Sequence, residues 1–151
     1  MLGVKLTPCD WSDPDAVALR AAQRIDIEAR YGTPDSEPGP APTADDITAF
    51  FLLRDGDEAV ACGGLRAIDA VSGEIKRMFV PAEHRGRGFS RIVLNGLEKH
   101  ARSLGWSRLL LETGDRQPEA VGLYTSAGYR AIPNFGHYAD SDISLCFAKD
   151  L

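Results

Sequence analysis

The sequence predicts an α+β fold built on one mixed, mostly antiparallel central sheet flanked by helices. Two observations predict it. Strand-like runs joined by tight glycine turns fill the middle of the chain, and helical apolar stripes alternate with strands on either side of them. The expected order is strand, helix, helix, three strands, helix, strand, helix and two strands. A chain of 151 residues with 44% hydrophobic and 26% charged residues has the size and balance of one globular domain, residues 1–151. Its longest apolar stretch, Ile47 to Leu53 interrupted by Thr48, falls far short of a bilayer span. The opening residues lack the basic cluster and long apolar run of a signal peptide, so a cytoplasmic protein away from membranes is expected.

Residues 2–7 read as a short first strand. Asp13 and Pro14 offer an N-cap followed by proline at the first helical position. Val17, Ala21, Ile25 and Ala29 recur at spacing four, which predicts a helix to about Tyr31 closed by Gly32. Residues 33–42 contain four prolines and must be a loop, either functional or a plain surface connection. Thr43 to Asp46 reads as one capped helical turn. Phe50 to Arg54 is a strand, Asp55-Gly56-Asp57 a hairpin turn, and Glu58 to Asp69 the returning strand. Gly63-Gly64 suggests a bulge within it. Ser72-Gly73 reads as a second tight turn, with Glu74 to Val80 the third strand of an antiparallel run.

Farther on, Phe89, Ile92, Val93, Leu97, Ala101 and Leu104 form a helical stripe between Gly88 and Gly105. Arg108 to Glu112 reads as a strand buried on both faces. Pro118 opens a helix with the stripe Ala120, Leu123, Tyr124 and Ala127, closed by Gly128. Strands at Tyr129–Ile132 and Ser144–Lys149 finish the chain.

The net charge of −5 disfavours general nucleic-acid binding. Residues 1–58 hold 5 basic and 12 acidic side chains, whereas residues 59–151 hold 12 basic and 10 acidic. Lys76, Arg77, Arg85, Arg87 and Arg91 cluster in sequence, as a solvated patch or as an anion site. Cys9, Cys62 and Cys146 are widely spaced without a C-x-x-C pair, and His84, His100 and His137 show no ligand spacing, so no metal site is expected.

The segment from Met78 to Arg91 carries the chemistry. A strand ends at Val80, and Gly86 and Gly88 stand where a long helix begins. Glycines there let backbone N–H groups converge, the helix start adds partial positive charge, and Arg85, Arg87 and Arg91 add formal charge. That combination suits a diphosphate. It lacks the spacing of a dinucleotide fingerprint and the Lys-Ser/Thr of a P-loop.

With these residues, and with Leu123, Tyr124, Gly128 and Tyr129 downstream, the chain resembles the GNAT superfamily of acyl-CoA-dependent N-acyltransferases. Arg85 to Ser90 match that family's pyrophosphate loop, with Ser90 where glycine or alanine is usual. Gln117 stands where the family often has a cofactor-contacting asparagine, and the tail from Ile132 to Lys149 looks like that of a bacterial subgroup of mostly unassigned substrate. The resemblance implies an N-acetyltransferase that moves the acetyl group of acetyl-CoA to a primary amine by direct attack, without metal. It implies cofactor contacts from Met78, Phe79 and Val80, from Arg85, Gly86, Arg87 and Gly88, and from Phe89, Ser90, Arg91 and Gln117.

For catalysis the resemblance implies Tyr124 as general acid to the CoA sulfur, against a plain core tyrosine. Glu74 matches the glutamate base of histone acetyltransferase-type members, against an exposed carboxylate beside the Ser72-Gly73 turn. Glu112 and His137 are further base candidates. Tyr31, Asp35, Phe135 and Tyr138 lie on segments that border the acceptor channel in the family. The partner is a small-molecule or peptide amine, with the protein a monomer or homodimer. A non-catalytic CoA-binding sensor or interaction domain is the alternative, and a nucleic-acid binder using the arginine patch a second.

Overall fold

Strand β1 runs from Val4 to Cys9 in the computed structural model, which describes residues 3–151. The expected start at Leu2 lies outside the described residues. The strand continues past residue 7 because Pro8 and Cys9 pair with Phe51 and Phe50. It is an edge strand, where proline's missing N–H is tolerated.

Helix α1 spans Pro14–Tyr31 with both expected ends. The Asp13 carboxylate accepts from Asp15 N–H at 2.9 Å, and Gly32 takes the left-handed conformation at φ 73° with its N–H on the Glu28 carbonyl. The buried face is not the expected one. Ala16, Leu19 and Gln23 face inward, while Val17, Ala21, Ile25 and Ala29 are exposed. The inward face was hidden because a polar Gln23 interrupts its apolar spacing. Thr43–Asp46 is the expected single turn, with the Thr43 carbonyl accepting from the N–H groups of Asp46 and Ile47. The Asp46 carboxylate accepts from Thr43 N–H at 2.7 Å, and the chain then enters the sheet at Thr48.

Strands β2 (Ala49–Asp55), β3 (Glu58–Ala67) and β4 (Ser72–Phe79) form the expected antiparallel run. The second turn lies one step earlier than expected. Residues 68–71 make it, because the Asp69 carboxylate accepts the N–H groups of Val71 and Ser72 and the Ser72 hydroxyl. Ser72 and Gly73 already belong to β4, and the Trp106 ring occupies the space a Gly73 side chain would need. The β3–β4 register shifts between Cys62 and Gly64, where the Gly63-Gly64 pair marks an irregularity, but the extra residue lies on β4 between Lys76 and Phe79 rather than within β3.

Helix α2 (Phe89–Ser103), β5 (Arg108–Gly114), α3 (Pro118–Ser126), β6 (Arg130–Ile132) and β7 (Ser144–Asp150) follow, with 3-10 turns at Ala82–His84 and Gly136–Tyr138. On α2, Leu94 and Glu98 join the buried face, and Leu104 is exposed. Glu98 accepts from the Tyr129 hydroxyl at 2.8 Å and pairs with Lys149, which explains a carboxylate at that depth.

The sheet order is β1-β2-β3-β4-β5-β7-β6. Alternation along β2 sends Phe51 and Leu53 to the α2 side and Phe50 and Leu52 to the α1 side, so both faces are covered. The β4–β5 pair, the sheet's parallel junction, holds for three residue pairs only, Ser72–Glu74 against Arg108–Leu110. Beyond Glu74 the two strands diverge, and β4 carries a non-glycine left-handed residue, Arg77 at φ 59°. The functional site lies in that wedge.

Candidate active site

Two chambers occupy the wedge. The first, about 200 Å³, is bounded by Met78, Phe79 and Val80 on β4, by Arg85, Gly86, Gly88, Phe89 and Ser90 before and at the start of α2, and by Gln117 and Tyr124 on the α3 side. Gly86 and Gly88 have φ of 78° and 80°, and open space lies where each side chain would be. Only glycine takes this conformation freely, and it leaves the backbone bare toward the cleft. Arg85 Nε donates to the Val80 carbonyl at 2.8 Å, which anchors the guanidinium at the rim, 3.5 Å from Asp26.

The other two arginines of the motif do not line the cleft. Arg87 is drawn to Asp55 at 2.9 Å and lies over the Phe89 ring. Arg91 donates to the Ser126 hydroxyl at 2.6 Å. The basic cluster read from sequence is thus divided, because Lys76 and Arg77 also turn elsewhere, to Glu37.

The second chamber, about 90 Å³, lies behind the first and is bounded by Tyr31, Glu37, Lys76, Arg77 and Glu112 among others. Gln23, Ile27, Met78, Gln117, Ala120 and Tyr124 border both chambers. Tyr124 is 5% exposed, with its ring edge-on to Tyr129. Burial raises its phenol well above the ordinary value, and no neighbouring charge or hydrogen bond offsets that. Gln23 Nε2 donates to the Met78 carbonyl at 3.0 Å, while its Oε1 is buried without a partner. An orphaned acceptor at a chamber junction is a place for a ligand N–H.

Glu112 stands on β5 with Oε2 accepting from the Ser144 hydroxyl at 2.6 Å. Burial raises its carboxyl, and the nearby Glu37 and Glu74 charges add to the rise against the Ser144 hydrogen bond. Glu74 is not the exposed carboxylate of a turn: it is 4% exposed and borders neither chamber. Its oxygens are taken by Arg66 at 3.0 Å and by the Tyr138 hydroxyl at 2.7 Å, with Lys76 Nζ at 3.6 Å. Tyr138 also receives a hydrogen bond from Lys76 at 2.8 Å, and burial raises its phenol. Tyr31 borders the second chamber, its hydroxyl accepting from Arg116 N–H at 2.8 Å.

His137 is exposed and borders neither chamber; its ring packs where a Gly39 side chain would stand. Asp35 is exposed beside Ser36 and Glu37, which do border the second chamber, and Phe135 stacks edge-on against Tyr138. Sequence reasoning missed Gln23 and Glu37. The available signals were a polar residue on the inward spacing of α1 and the proline-rich loop that carries Glu37. Among the described residues no cluster of three or more potential ligands is placed to hold a metal, and no helix is long and apolar enough to cross a membrane.

Comparison with known proteins agrees with this geometry. Residues 16–129 match the family model described as acetyltransferase (GNAT) family. The chain is 39% identical over 104 residues to an IAA acetyltransferase of Azospirillum brasilense, covering 68% of this chain and 67% of that one. It is 35% identical over 104 residues to the N-acetyltransferase YsnE of Bacillus subtilis, covering 68% and 69%. A Klebsiella pneumoniae structure assigned as an acyl-CoA N-acyltransferase superposes with a TM-score of 0.81 at 30% identity, over 98% of this chain and 97% of that one. A GNAT family acetyltransferase of Elizabethkingia anophelis, solved with acetyl-CoA bound, shares the fold at a TM-score of 0.73 and 15% identity, over the whole of both chains.

Proposed function

We infer the division of labour in the site from one premise: the chain belongs to the acetyltransferase (GNAT) family and is an acetyl-CoA-dependent N-acetyltransferase. The first chamber is the donor side. Arg85 and the bare amides around Gly86, Gly88 and Ser90 at the α2 N-terminus receive the pyrophosphate, and Gln117 flanks it. Arg87 and Arg91, held by Asp55 and Ser126, strengthen the local positive potential without lining the cleft. Met78, Phe79 and Val80 lie past the point where β5 stops pairing with β4, so this stretch offers backbone groups to the pantetheine arm.

The second chamber is the acceptor side. A lysine-like amine is mostly protonated at neutral pH, and presenting it as free base costs about 4–5 kcal/mol. Glu112 is the base, because it borders the chamber and its raised carboxyl is better matched to that proton than an ordinary carboxylate. Glu74 instead holds Tyr138 and Lys76 in place. Glu112 first takes a proton from the ammonium and releases it to solvent. The free amine nitrogen then bonds to the acetyl carbon as the carbon–sulfur bond breaks, CoA leaves as the thiolate, and Glu112 takes the second proton that the nitrogen sheds. The Tyr124 hydroxyl hydrogen-bonds the departing sulfur. Transfer is direct: burial pushes the Cys9 and Cys62 thiols up to about 11 and about 12, far from the thiolate a nucleophile needs. Three cysteines without a disulfide suit a reducing, cytoplasmic setting.

The observation that carries this reading is the meeting of both chambers between Tyr124 of α3 and the stretch of β4 that no longer pairs with β5. Calorimetric titration with acetyl-CoA, followed by an amine screen that counts free thiol, tests it. Saturable binding with amine-dependent thiol release is expected. Binding without release for any amine would favour the sensor alternative, and a flat titration would end the assignment.

A further inference from the structure

We propose that the acceptor is an amino-carboxylate, an amine that also bears a carboxylate group, and that Glu37 holds the carboxylate's place until it arrives. The inference rests on the reading of the second chamber as the acceptor side. Lys76 and Arg77 supply the first observation. Consecutive residues of a strand point to opposite faces. Yet Lys76 Nζ and Arg77 Nη1 each lie 3.0 Å from the Glu37 carboxylate, one on each oxygen. The left-handed conformation of Arg77, at φ 59°, breaks the alternation and lets both cations reach one anion. This residue lies in the bulge where β4 shifts register against β3, so the bulge is what turns both cations to one chamber.

The second observation is the set of acceptors that border the same chamber. They are the orphaned Gln23 Oε1 and the Glu112 carboxylate, whose Oε2 also accepts from the Ser144 hydroxyl. Gln23 is 8% exposed and borders the chamber, so its unpaired oxygen is left for whatever enters there. Paired cations and acceptors in one chamber match a molecule with both a carboxylate and an amine, whereas a plain amine uses the acceptors only. The third observation is space. With Glu37 in place the chamber holds about 90 Å³, roughly the share of three waters. Glu37 belongs to the loop of residues 33–42, so it can leave without disturbing the sheet, and its departure frees both room and the two cations.

The test uses the full chain saturated with CoA. The standard L-amino acids, β-alanine and γ-aminobutyrate are titrated calorimetrically, each beside the same amine lacking the carboxylate. At least one amino-carboxylate should bind tenfold or more tightly than its partner amine. Arg77→Asn, chosen because asparagine tolerates positive φ, should cut that preference to twofold or less while acetyl-CoA binds as before. Glu37→Gln should tighten the amino-carboxylate severalfold, because the competing anion is gone. The proposal is overturned if no amino-carboxylate outbinds its partner, if Arg77→Asn keeps the preference, or if Glu37→Gln weakens binding. The wild-type panel and Glu37→Gln decide the matter even where Arg77→Asn does not fold. Preference retained with no thiol release for any compound counts against the transfer reading alone. Turnover without preference counts against this proposal alone.

Discussion

Replacing Tyr124 by phenylalanine isolates a single oxygen atom. The phenol is raised by burial alone, with no hydrogen bond to offset it, so the substitution strands no partner and opens no cavity. The ring keeps its edge-on contact with Tyr129, 5.6 Å between centroids. Stability should therefore stay within about 0.5 kcal/mol, or roughly 1–2 °C in Tm for a chain of this size. Turnover should not stay put. A hydrogen bond to the charge that develops on sulfur is worth about 1.5–3 kcal/mol, which converts to roughly 10- to 150-fold in kcat. Acetyl-CoA Kd should be unchanged, because the sulfur of the intact thioester is a poor acceptor. Because its phenol is held above the ordinary range, Tyr124 stays protonated over the working pH range and should impose no alkaline limb on kcat. Free-thiol release against pH, with calorimetric Kd alongside, measures all of these. A kcat within threefold of wild type, or a Kd that weakens in step with kcat, would refute the role.

Glu112→Gln should lower kcat/KM by about 10²–10⁴-fold. Wild-type kcat/KM should fall as pH drops through the Glu112 pKa, which is raised above the ordinary carboxylate value, and a pH profile of Glu112→Gln should lack that limb. Because a raised carboxyl favours the protonated folded state, stability from this group is present at low pH and lost as pH rises through its folded pKa. Thermal melts at neutral pH should then find Glu112→Gln at least as stable as wild type. Arg85→Ala should weaken CoA by about 1.5–3 kcal/mol in a titration, while Arg87→Ala, whose guanidinium is engaged by Asp55 outside the cleft, should change it threefold or less. Gly73→Ala should cost about 1–3 kcal/mol by driving a methyl into Trp106. A thermal melt should show the loss, and CoA affinity should be kept.

What could be read from the sequence shares a physical character: it is local. Asp13 with Pro14, and Gly32 closing α1, act within a turn, and both ends of that helix stand where the residues place them. The Asp55-Gly56-Asp57 hairpin and the irregularity at Gly63-Gly64 were legible for the same reason. Errors came where a neighbouring choice overrode the local cue. Ser72-Gly73 has turn composition, but Asp69 captures the turn upstream, and Gly73 is needed for its missing side chain beneath Trp106. The stripe on α1 was misplaced because its inward face includes Gln23, whose amide serves the Met78 carbonyl rather than the core.

The first chamber was legible in the sequence and the second only through Tyr31 and Glu112, for one structural reason. Met78 to Ser90 is a continuous strand-turn-helix, so its spacing encodes where its amides converge, and most of that segment borders the first chamber. The second chamber is assembled from partners far apart in the chain, Lys76 with Glu37 across 39 residues, and its Lys76 is held from outside the chamber by Tyr138 across 62, which in turn meets Glu74 across 64. No spacing rule reaches that far. Even the charge pattern misled, since the five basic residues from Lys76 to Arg91 resemble one anion site yet serve four different partners or surfaces in the fold. Glu37, Asp55, Ser126 and the cleft rim divide them. Much of the acidic surplus of residues 1–58 is absorbed likewise, with Asp15, Asp46 and Asp55 each paired to an arginine. A long-range field that draws in cationic amines is therefore a weaker source of selectivity than the short-range polarity of the second chamber. Kinetics should register this as a KM that responds little to salt and strongly to substitution at Arg77 or Glu37.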